Sequence, residues 1–143
     1  MKKLLLIIPF LSFGQNADIY KVVQRLDKIE IREYRPLLFA SYINMGKGTD
    51  QNSSFRVLAD YIFGANNTEE EIAMTSPVVI RLFNNNQMLF RMPEGYNKNN
   101  VPKPNNEQVK FIETNSSQKA VIQYSGYSNY EKETKKIEEL KKI

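Results

Sequence analysis

The spacing of hydrophobic and polar positions changes several times along the chain, and each change predicts an element. Ile29 and Ile31 alternate with Glu30 and Arg32, the two-residue period of a strand with one apolar and one wet face. Asp27-Lys28 predicts a turn joining it to a strand over Tyr20 to Gln24. Arg35-Pro36 ends the strand, because proline offers no N–H to a ladder. A second apolar stretch, Leu37 to Ile43, runs to the loop Gly46-Lys47-Gly48-Thr49, so the opening reads as a β-meander. The period then lengthens. After the possible caps Asp50 to Ser54, the residues Phe55, Leu58, Ala59, Ile62 and Phe63 recur at helical spacing, and Gly64 stands where a left-handed cap belongs.

Past the acidic run Glu69 to Glu71, Ile72 to Phe83 is β-branched and apolar apart from Thr75-Ser76-Pro77 and Arg81. Asn84-Asn85-Asn86 tolerates positive φ, which predicts Met88 to Met92 as a hairpin partner. Pro93 to Asn106 holds three prolines and reads as an Ω-like loop. Val109 to Thr114 and Lys119 to Ser125 flank Asn115-Ser116-Ser117-Gln118 and read as another hairpin. Ser128-Asn129-Tyr130-Glu131 has the spacing of a capping box, and Tyr130, Ile137 and Leu140 share a stripe of the helix that follows. The order is β-β-α-β-β and then β-β-α. A helix ending at Ile143 leaves the second half without its closing hairpin, so an asymmetric fold or an incomplete C-terminus is expected.

The N-terminus has a different pattern. Lys2 and Lys3 precede an apolar run from Leu4 to Phe13, interrupted by Ser12 and followed by Gly14 and Gln15, the layout of a secretory signal peptide over residues 1–15. The run is shorter than the roughly twenty residues a spanning helix needs, so no stable membrane insertion is expected. A domain over residues 16–143, exported to the periplasm or outside the cell, is the reading. The whole chain has 143 residues and a net charge of +4. Without Lys2 and Lys3, 18 basic residues face 16 acidic ones and the charge is +2, too small and dispersed for a nucleic-acid footprint. A monomer is expected.

Composition excludes much chemistry. Cysteine, histidine and tryptophan are absent. Disulfides, thiolate nucleophiles, Cys-ligated metals, Ser-His-Asp catalysis and histidine metal sites are therefore ruled out. Thr75-Ser76-Pro77 has no base to activate it and reads as a strand bend, and Glu69 to Glu71 reads as a solvated loop. The fifteen asparagines fall at turns, and the sequons at Asn52, Asn66 and Asn115 carry no functional weight.

Four blocks in series carry a resemblance. They are Tyr20-Lys21-Val22 with Ile29-Glu30-Ile31-Arg32-Glu33-Tyr34; Ile72-Ala73-Met74-Thr75-Ser76-Pro77-Val78; Phe90-Arg91-Met92-Pro93-Glu94-Gly95-Tyr96; and Pro102-Lys103-Pro104 with Val109. In this order and spacing the chain resembles the SOUL haem-binding protein family from Tyr20 to its end. The resemblance implies an α+β fold, a distorted β-barrel of two pseudo-repeated halves with a helix outside each, similar to GyrI-like modules. It also implies non-catalytic binding of haem or another porphyrin in an apolar groove beside the first helix, for scavenging or transfer. On the matching helix the implied contacts are Phe55, Arg56, Leu58, Ala59 and Ile62, with Arg56 facing a propionate. Some relatives place a histidine on the iron, and this chain has none. An axial ligand would come from tyrosine, methionine, lysine or water, with Met74, Tyr127 and Tyr130 as candidates. Two readings stand beside this one: a GyrI-like module for another amphipathic small molecule, and an exported interaction module without a ligand.

Overall fold

A computed structural model describes residues 19–46, 51–83 and 85–143. The predicted signal peptide, Asp50, Asn84 and most of the loop after Gly46 lie outside the described residues. Among the described residues, seven strands and two helices follow in the order β1 (Tyr20–Leu26), β2 (Ile29–Tyr34), β3 (Leu38–Tyr42), α1 (Gln51–Ile62), β4 (Thr75–Arg81), β5 (Gln87–Arg91), β6 (Lys110–Glu113), β7 (Ser117–Ile122) and α2 (Tyr130–Lys141). The fold is mixed α+β with two antiparallel sheets, ordered β1-β2-β7 and β4-β5-β3-β6. The described strands leave both sheets open, so the barrel expected from the sequence is not closed.

Local signals match where turn chemistry is decisive. Asp27, at φ 55°, turns β1 into β2, and Asn85 and Asn86, at φ 51° and 50°, turn β4 into β5. Two expected pairings are corrected. The meander does not continue from β2 to β3, and β6 does not fold back on β7. Instead β2 pairs with β7 from Ile29↔Ile122 to Tyr34↔Ser117, and β3 pairs with β6 from Leu38↔Glu113 to Ser41↔Lys110. The register runs on unbroken from one ladder to the other, so residues 29–41 and 110–122 form one bent ribbon through both sheets. At the bend Thr114 N donates to Leu37 O at 2.9 Å, Leu37 N to Thr114 Oγ1 at 3.0 Å, and Ser116 Oγ to Tyr34 O at 3.3 Å. Asn115-Ser116 thus marks a corner, and small polar residues suit a corner as well as a hairpin turn.

Each sheet carries a helix on one face. Leu58, Ala59 and Ile62 of α1 pack with Leu38, Ala40, Met88 and Phe90 on the four-stranded sheet. Leu140 of α2 packs with Ile31, Ala120 and Ile122 on the other. The opposite faces carry Phe39, Val79 and Leu89 on one sheet and Tyr34 and Val121 on the other, and Leu37 packs against both groups. Alternate residues of β2 are therefore not simply wet: Arg32 is buried, lies 4.2 Å over the Tyr20 ring and donates to Glu30 at 2.7 Å.

Four smaller expectations also change. Asn52 to Ser54 lie within α1 rather than capping it, and the α1 stripe turns toward Tyr61, which is buried while Phe63 is exposed. The cap of α2 is Asn129, whose Oδ1 accepts from Lys132 N at 2.9 Å, while Ser128 Oγ donates to Glu133 at 2.8 Å. Tyr130 leaves the α2 stripe and stands in solvent.

Candidate ligand-binding site

The region around α1 is set by how that helix ends. Gly64, at φ 118°, closes it in a Schellman arrangement, with Ala65 N donating to Asp60 O at 2.9 Å and Gly64 N to Tyr61 O at 3.4 Å. The chain then turns around Asn66, only 2% exposed. Its Nδ2 donates to the carbonyls of Tyr61 and Glu70 at 3.1 and 2.9 Å, and its Oδ1 accepts from Glu70 N and Thr68 Oγ1 at 3.1 Å each. Asn105 N donates to Ala65 O, and Tyr61 Oη donates to Pro102 O at 2.6 Å, fastening the proline loop to the same end of α1. Burial pushes the Tyr61 phenol well above its ordinary range.

From Asn66 the chain returns along α1. Ile72 N donates to Ile62 O at 2.7 Å, and further on Val78 pairs with Phe90, the ring that Phe55 meets at 5.2 Å. Met74 lies between these two anchor points. Thr75-Ser76-Pro77 forms the strand bend expected of it: the ladder shifts between Thr75 and Val78, Thr75 Oγ1 donates to Arg91 O at 2.6 Å, and Arg91 Nε donates to Ser76 O at 2.5 Å. Glu69 to Glu71 are exposed. Tyr96 Oη donates to Glu70 at 2.6 Å, and this bond raises the Tyr96 phenol. Among the described residues no three His, Cys, Asp or Glu side chains gather as a metal site.

The candidate residues divide into two groups. Phe55, 42% exposed, and Arg56 lie on the solvent side of α1, while Ala59 and Ile62 on the same helix are buried in the core. Met74, 45% exposed, lies between Ile72, which packs in the α1 cluster, and the start of β4. Tyr127 and Tyr130, 98% and 85% exposed, stand at the start of α2 with the three-stranded sheet, and the structure does not bring them beside α1. Two open clefts lie elsewhere. One, of about 360 Å³, is lined by Tyr20, Tyr34 and Arg35 near the ribbon's bend. The other, of about 300 Å³, opens on the face of the four-stranded sheet turned away from α1. Neither is lined by α1.

A family model described as SOUL heme-binding protein matches residues 17–143. The chain belongs to the SOUL heme-binding family. A search of curated proteins found no match. The four SOUL blocks have visible structural work. The first builds the β1–β2 hairpin, the second supplies the bend at Pro77, and the third runs from β5 into the proline loop. The last contains the Pro102 carbonyl that holds Tyr61. Two residues central to this arrangement, Asn66 and Tyr61, were not singled out by sequence reasoning. Asn66 had no distinguishing signal among fifteen asparagines, and Tyr61 and Phe63 flank Ile62 on opposite sides, so either could have extended the apolar stripe.

Proposed function

We propose that this SOUL protein binds haem or another tetrapyrrole, without catalysis, on the outward side of α1. Family membership over residues 17–143 supports the ligand class, and the half-exposed ring of Phe55 is the observation that supports the place. That ring is held against Phe90, so it offers a flat macrocycle an apolar surface that is already ordered, and little side-chain entropy is lost on binding. Exposed Arg56 would meet a propionate through a charge-assisted hydrogen bond. Ala59 and Ile62 would form the packed floor. Met74 would be the sulfur donor, whereas Tyr127 and Tyr130, which stand with the other sheet, would take no part in this site. The apolar run behind Lys2 and Lys3 supports export, and haem scavenging or transfer outside the cytoplasm would follow from it.

Hemin titration of the purified protein tests the reading. A saturable Soret band is expected, weakened at least tenfold by Phe55→Asp with unchanged circular dichroism, and altered in position by Met74→Leu. A folded protein that leaves the hemin spectrum unchanged overturns the proposal.

A further inference from the structure

The four-stranded sheet has a second face, turned away from α1, and its cleft is not used by tetrapyrrole binding. Register explains how distant segments meet there. Ser41 pairs with Lys110 and Tyr42 with Met88, so one step further along β3, Ile43 stands level with Gln87 on one side and Gln108 on the other. Ile112, the partner of Phe39, belongs to the same face. Together with Met45 these residues enclose about 300 Å³, at the lower end of small-molecule sites.

The lining divides by chemistry. Ile43, Met45 and Ile112 supply an apolar wall, and Met45, 79% exposed, is an adaptable side chain with much of its surface open to a ligand. Lys110 and Gln108 supply the polar end. Among the described residues the Lys110 ammonium forms no ion pair and the Gln108 carboxamide forms no hydrogen bond. Among the described residues no carboxylate lines the cleft. Arg81, paired with Gln87 in the ladder, donates to its Oε1 at 3.2 Å and adds a second positive charge to this face. Ser41 Oγ is engaged elsewhere, donating to Lys110 O at 3.0 Å and fastening β6 to β3.

We infer that this cleft binds a small apolar monocarboxylate, with its carboxylate on Lys110 and Gln108 and its hydrocarbon against Ile43, Met45 and Ile112. A cationic amphiphile of the same length is rejected, because its ammonium would face Lys110 with no acid to receive it. The inference is independent of tetrapyrrole binding, since the two surfaces lie on opposite faces of one sheet.

Isothermal titration of the intact protein with octanoate, octylamine and acetate provides the test. Octanoate is expected to bind saturably, with octylamine and acetate at least tenfold weaker. Lys110→Glu should weaken octanoate at least tenfold and Lys110→Gln at least threefold, because Lys110 is an exposed residue on an edge strand whose loss leaves the fold intact. Hemin titration of either variant should match that of the parent. The inference is overturned if octanoate gives no saturable heat, if octylamine binds as tightly, or if Lys110→Gln keeps full octanoate affinity. It is equally overturned if the lysine variants lose hemin and octanoate binding in parallel.

Discussion

Replacing Asn66 by alanine is expected to cost more stability than any surface substitution in this chain. The side chain is buried and serves four backbone groups, donating to Tyr61 O and Glu70 O and accepting from Thr68 N and Glu70 N. Thr68 N loses only its long 3.3 Å bond, and Tyr61 O keeps a weak bond from Gly64 N. The N–H and C=O of Glu70 lose their partner, and each unsatisfied group costs about 1–3 kcal/mol, so a loss of about 3–4 kcal/mol is expected. That is a large part of the roughly 5–15 kcal/mol that holds a domain folded. In urea the midpoint should fall by about 2 M with the slope unchanged. Asn66→Asp sharpens the test. It keeps the acceptor, removes both donations and sets a carboxylate against two carbonyls. Burial raises the folded pKa of that new acid above its unfolded value, so the penalty grows as pH rises through the carboxylate range and relaxes in acid. A midpoint for Asn66→Ala within 0.5 M of the parent, at equal slope, would refute the account of Asn66 as the tie between α1 and the chain that leaves it.

Three further outcomes follow from the same packing. Tyr61→Phe strands the Pro102 carbonyl and should cost about 1–3 kcal/mol, or about 4 °C of melting temperature per kcal/mol. Because the folded state raises the Tyr61 phenol above its ordinary pKa of 10.0, the stability it contributes is intact below that pH and declines above it, so the parent should weaken more steeply than the variant between pH 10 and 11. Leu140→Ala removes the one buried side chain that α2 offers among its described residues, and should cost about 2–4 kcal/mol, with hydrogen exchange rising in α2 before α1. Gly64→Ala meets no atom closer than 3.7 Å but must hold φ 118°, so a loss of about 1–2 kcal/mol should come from backbone strain alone, read as a lower melting temperature with an unchanged far-ultraviolet spectrum.

What was legible in the sequence was local. Asn85-Asn86 announced the β4–β5 turn, Gly64 the end of α1, Pro36 the end of β2 and Pro77 the bend in β4, since each depends on the conformational range of one or two residues. Partner choice between distant strands leaves no such trace. β7 chose β2, and β6 chose β3, through faces that become complementary only after the chain has turned at Arg35-Pro36 and again at Asn115-Ser116. Similarly, the burial of Tyr61 rather than Phe63 was decided by the Phe111 ring and the Pro102 carbonyl, contributed from 41 residues and more away. The SOUL blocks made the family legible, and the family suggests the ligand class. The carboxylate cleft was not, because it draws on residues near 43, 87 and 110 that share no pattern along the chain.

The bent ribbon also sets a kinetic expectation. Its partners lie 69 to 93 residues apart, from Ser41 with Lys110 to Ile29 with Ile122, so neither sheet can be completed until nearly the whole chain has been gathered. Closing so long an excursion incurs its entropic penalty before any ladder bond repays it, which places folding at the slow end for a domain of this size, in milliseconds to seconds. During that interval the β4–β5 hairpin can form alone while β3 waits with both of its edges unpaired.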